Sequence, residues 1–86
     1  MKISIKHELA DSVSIVGSND EGSGLRIYAN EDSVEIAFFK QGNWVTELIP
    51  EFTEYAEAPF DGEYSVYGWV PKDEVLSFLL RFSVNP

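Results

Sequence analysis

No cysteine occurs among the 86 residues, and His7 is the only histidine. The first absence excludes a disulfide framework, a thiolate zinc site, an iron–sulfur cluster and a cysteine nucleophile. The second excludes any histidine-rich metal site and the HExxH arrangement. Positive charge is also scarce, with 6 Lys+Arg against 15 Asp+Glu and a net charge of −9. Direct contact with phosphate backbones or anionic lipid would run against that charge, so neither nucleic acid nor a membrane is an expected partner. No stretch approaches the ~20 apolar residues of a spanning helix. The opening Met1-Lys2-Ile3-Ser4-Ile5-Lys6 lacks the apolar run of a signal peptide. Together these predict a soluble, cytoplasmic chain.

What is present is enough to build a core. Hydrophobic residues make up 44% and aromatics 14% of the chain, which argues against disorder. The length fits one domain over 1–86, since two halves would each be too small to stabilise. The dominant hydrophobic period is two, the period of strands. Alternation predicts strands near 2–7 and 12–17, a third over Leu25–Tyr28, and an Asn30–Ser33 turn between the third and the next. The best hairpin spans 33–49, with Val34, Ile36 and Phe38 on one face and a three-residue Gln41-Gly42-Asn43 loop. That register sets Phe38 opposite Thr46 and Ile36 opposite Leu48, keeping apolar residues on one face.

After Pro50, residues 51–58 read equally as a short helix or a structured acidic loop. Glu63–Val70 reads as the last strand, with Tyr64, Val66 and Val70 inward and Tyr67 and Trp69 outward. A helix follows from Pro71, with Asp73 and Glu74 in its first turn and Arg81 near its end. Its stripe of Val75, Leu76, Phe78, Leu79, Leu80 and Phe82 is expected to be buried on the sheet. The expected fold is α+β: a meander-like antiparallel sheet of five or six strands with the C-terminal helix packed on one face. The other face is left to solvent or a partner.

Catalytic signatures are missing. No nucleophile elbow surrounds any serine that might meet His7. The 17–24 loop has three glycines but lacks the P-loop lysine and its spacing. Asn19-Asp20-Glu21-Gly22 lacks the alternating acids of a calcium loop. No catalytic residue, cofactor or metal is expected, and an enzyme is not.

The informative feature is where charge lies. The thirty-one residues between Lys40 and Lys72 contain no lysine or arginine, six acids and seven aromatics. Acids crowded without local counter-charge repel one another, and a cationic partner relieves that repulsion. Aromatics are frequent interface anchors, and carboxylates clamp arginine bidentately. The expected contact residues are Glu35, Glu47, Glu51, Glu54, Tyr55, Glu57, Asp61, Glu63, Tyr67 and Trp69. The expected function is a small acidic protein that binds and neutralises a basic, nucleic-acid-handling protein. In size and composition the chain is similar to immunity proteins of bacterial toxin systems, the favoured setting, and to phage-encoded anti-defence proteins. A non-catalytic accessory subunit of a larger complex is the alternative.

Overall fold

The structure is a computed structural model that describes residues 1–20, 27–57, 60 and 64–84. Its centre is the eight-residue strand β3 (Ser33–Lys40), flanked on one side by β2 (Ser12–Val16), which pairs in turn with β1 (Lys2–Ser4). The other edge of β3 is shared. The short β4 (Asn43–Trp44) pairs with its end and β5 (Tyr67–Pro71) with its beginning, all antiparallel. The helix α1 (Lys72–Phe82) packs on one face of this five-stranded sheet, completing the expected α+β architecture.

Alternation on β3 decides which face is covered. Val34, Ile36 and Phe38 are buried, and Val13 and Ile15 pair with Phe38 and Ile36 from β2. Phe78 of α1 and Phe52 pack on Phe38 at centroid distances of 5.5 and 5.9 Å, closing the core. The opposite face carries Ser12, Ser14, Glu35, Ala37 and Phe39. There Lys2 lies over the Phe39 ring, which meets Trp44 edge-on.

Several expected boundaries move, each for a local reason. The first strand stops at Ser4 because the chain turns at His7–Ala10, leaving Ile5 in a single bridge to Ser83. Leu25 and Arg26 lie outside the described residues, while Ile27 and Tyr28 belong to no strand. The 33–49 hairpin turns on two residues, Gln41 (φ 51°) and Gly42 (φ 82°), rather than on Gln41-Gly42-Asn43. Positive φ at both central positions is the type I′ pattern that matches strand twist. Asp11 accepts the Gln41 N–H at 2.9 Å and holds it there. The expected register counted core partners as far as Leu48, yet the strand ends after Trp44. Thr46–Leu48 is a 3-10 turn and Leu48 is exposed. Thr46 Oγ1 then accepts the Phe38 N–H at 2.8 Å, filling the gap on the β3 edge between β4 and β5.

Of the 51–58 stretch, Ala58 lies outside the described residues and the part up to Tyr55 takes the short-helix alternative, as 3-10 rather than α. This 3-10 segment spans Pro50–Tyr55, with Pro50 in its first turn and a kink at Phe52. The last strand is shorter than expected, and although Val70 is buried and Trp69 exposed as expected, the phase is reversed before them. Between Val34↔Val70 and Ile36↔Tyr67 the register shifts, so Gly68 and Trp69 together oppose Glu35 in a β-bulge. Trp69 has φ 56° there, and the extra residue turns Tyr67 inward with Val70. The expected inward Tyr64 is 78% exposed instead. A Cβ on Gly68 would meet Tyr28 Cβ at 2.6 Å and Glu57 Cγ at 2.7 Å, so glycine permits this close approach.

In α1, Val75 and Phe78 are buried, but Leu76 and Leu80 are 58% and 75% exposed. The apolar stripe is wider than the surface that receives it. Pro71 sits just before the first helical residue with ψ 137°, in the extended conformation that ends β5.

Candidate functional site

Tyr67 belongs to the core. Its ring is fully buried against Phe38, Phe52 and Phe60, and its hydroxyl lies 2.6 Å from the Thr46 carbonyl and 2.7 Å from that of Ile49. It therefore ties β5 to both 3-10 segments and presents nothing to a partner. Burial pushes its hydroxyl up from 10.0 to about 12, with the charges of Glu51 and Glu47 adding to the effect.

Of the other expected contact residues, the structure gathers two groups. Glu51, Glu54 and Tyr55 lie on the 3-10 segment beside α1. An open groove of about 310 Å³ runs between the two elements, lined by Glu51, Glu54, Asp73 and Glu74 with Ser77, Arg81 and the edges of Phe52 and Phe78. Four carboxylates thus share one depression with one guanidinium. Tyr55 bridges the elements, its hydroxyl donating to Glu74 Oε2 at 2.6 Å. That hydrogen bond is the first reason its hydroxyl rises to about 12. Desolvation and the negative charges of Glu54, Glu74 and Asp73 raise it further.

The second group surrounds Tyr28 on the opposite face of the sheet. Glu35 Oε1 accepts the Tyr28 N–H at 3.2 Å, Trp69 meets the Tyr28 ring edge-on at 6.2 Å, and Glu57 lies beside Gly68. Trp69 is 40% exposed. Both Trp69 and Tyr64 hold bulky exposed rings on left-handed backbone, with φ 56° and 71°. Such conformations cost of order 1–3 kcal/mol each at non-glycine residues. Glu47 is exposed on the Thr46–Leu48 turn. Asp61 and Glu63 lie outside the described residues.

Glu51 does more than line the groove. His7 Nε2 sits 3.1 and 3.0 Å from the two Glu51 carboxylate oxygens. His7 Nδ1 accepts the Leu9 N–H at 3.0 Å, so the neutral ring carries its proton on Nε2 and donates it to Glu51. The imidazole, only 6% exposed, is packed against Phe78 and Phe82. Both ring nitrogens are committed, leaving neither to take a proton from a serine. Among the described residues, no three His, Asp or Glu side chains are placed to hold a metal ion. No described helix is long and apolar enough to cross a membrane.

Asp73 and Glu74 were legible as first-turn acids that favour the positive end of α1. Their place in the groove was not, because it depends on how α1 docks beside Pro50–Tyr55. The fold defines a small acidic α+β protein. The chain matches no family model, no curated protein and no solved structure.

Proposed function

We propose that this chain is a small acidic inhibitor that docks on the positive surface of a nucleic-acid-handling protein and blocks it. The observation that carries the reading is the groove in which Glu51, Glu54, Asp73 and Glu74 face one guanidinium, on a chain of net charge −9. A surface of this kind is complementary to the basic clefts that hold phosphates. Long-range attraction speeds the encounter, while exposed rings such as Trp69 set how long the complex lasts. Blocking is steric and electrostatic and requires no chemistry from the inhibitor. Immunity against a nuclease-type toxin is the setting we favour over phage anti-defence. The adjacent reading frame discriminates, a toxin gene supporting the first and phage structural genes the second.

Capture from the source cell at low salt, with gradient elution and mass spectrometry, tests the reading. One stoichiometric basic protein is expected, and its nucleic-acid cleavage or binding should fall as the purified chain is added. Only miscellaneous basic proteins in substoichiometric amounts would contradict it. The exposed Leu76 and Leu80 favour a second reading, a permanently bound accessory subunit. That reading expects the isolated chain to aggregate or self-associate, whereas an inhibitor stays monomeric.

A further inference from the structure

The outer side of α1 is out of character with the rest of the surface. Leu76 and Leu80 stand one turn apart, on the side turned away from the buried Val75 and Phe78. They form a short apolar ridge that no part of the described chain covers. Around the helix, the ridge is followed by Asp73 and Ser77, then by Glu74 and Arg81 at the groove, with Glu54 on its far wall. Apolar crest and acidic flank are therefore continuous.

We infer that this side of α1 receives a basic amphipathic helix of the partner protein, and the inference rests on the inhibitor reading above. Leu76 and Leu80 pack into its apolar strip, while Asp73, Glu74 and Glu54 meet lysines or arginines along one flank. The charge pattern selects this occupant. A second copy of the chain would bring no lysine-rich strip to the acidic flank and would set two charges of −9 against each other. A helix fits the shape as well, because helices pack ridge into groove with axes 8–10 Å apart. At that spacing, long cationic side chains on the flank reach over the acidic groove. Leucine ridges set at i, i+4 are the usual anchors of such contacts.

The test uses two synthetic peptides of the same leucine and lysine content, one ordered at i, i+3, i+4 and i+7 and one scrambled. Binding is followed by methyl and amide NMR shifts on the whole chain at low salt. The ordered peptide is expected to bind at least about tenfold more tightly, a difference of about 1.4 kcal/mol. It should move the Leu76 and Leu80 methyls. The double variant Leu76→Ser/Leu80→Ser should lose that preference and bind the scrambled peptide unchanged. Both leucines are exposed, so the variant keeps its fold, checked by circular dichroism. Equal binding of both peptides through the groove would overturn the docking inference and leave the inhibitor reading standing. Failure of both peptides to bind would overturn the docking inference alone, since the inhibitor reading falls only if capture yields no stoichiometric basic protein. Self-association of the wild type, abolished by the double variant, would assign the ridge to a second copy and overturn the inference.

Discussion

Tyr67→Ala is expected to cost about 3–5 kcal/mol, the range for deleting a large buried ring. The whole fold should be worth only about 4–13 kcal/mol at this length, so the variant is expected to populate unfolded chain at ambient temperature. The ring fills the space between Phe38, Phe52 and Phe60, and its one O–H lies between the carbonyls of Thr46 and Ile49. Tyr67→Phe separates the two contributions. It keeps the ring but leaves the Thr46 and Ile49 carbonyls without that donor, at about 1–3 kcal/mol. Urea denaturation of the three proteins measures both steps. An alanine variant as stable as the wild type would place Tyr67 outside the core.

Alkaline titration checks the same residue independently. The Tyr67 hydroxyl is held near 12 in the fold and near 10.0 when unfolded. Between those values the folded chain keeps a proton that the unfolded chain has lost. Its contribution to stability is therefore intact below pH 10 and disappears as pH rises toward 12. Tyr67→Phe should flatten the loss of stability across that window, while Tyr55→Phe removes the groove tyrosine that titrates over the same range.

Phe78→Ala is the second large effect, again about 3–5 kcal/mol. Phe78 lies 5.5 Å from Phe38, 5.1 Å from Phe52, 4.6 Å from Phe82 and 5.8 Å from His7, ring centre to ring centre. With Val75, Leu79 and Phe82 it joins α1 to the core, and with Phe82 it packs on the His7 ring. Its loss should loosen α1 first, seen as faster amide exchange over 75–82 than in β3. Leu80→Ala, two residues along the same helix, is expected to change stability by no more than about 0.5 kcal/mol because that side chain is exposed. Equal costs at the two positions would mean that α1 is rotated from the orientation described.

These two residues also mark what could be read from the sequence. Alternation in Val34, Ile36 and Phe38 identified the central strand and its inward face, because a half-buried strand writes its environment at period two. The Pro71–Phe82 pattern identified α1. Alternation could not show where its phase is interrupted, and the bulge at Gly68-Trp69 turns Tyr67 into the core against the expected parity. The stripe on α1 gave hydrophobicity without stating how much of it the sheet could receive, so Leu76 and Leu80 read as core. The groove acids came half into view. Glu51 and Glu54 fall in the cation-free stretch, whereas Asp73 and Glu74 join them only through the docking of two elements some twenty residues apart. The role of Glu51 toward His7 spans 44 positions and has no local signal.

The central claim is that the carboxylates of the groove draw a basic partner to this chain. It is tested most directly by association rates of wild type and Glu54→Gln/Asp73→Asn/Glu74→Gln with the captured partner, measured over a range of ionic strength. Glu51 is left in place because it satisfies His7, and glutamine at 74 still accepts the Tyr55 hydroxyl. The triple variant is expected to fold normally and associate more slowly at low salt, with a flatter salt dependence and little change in dissociation. Identical rates and identical salt dependence would show that the groove acids are solvated surface charge.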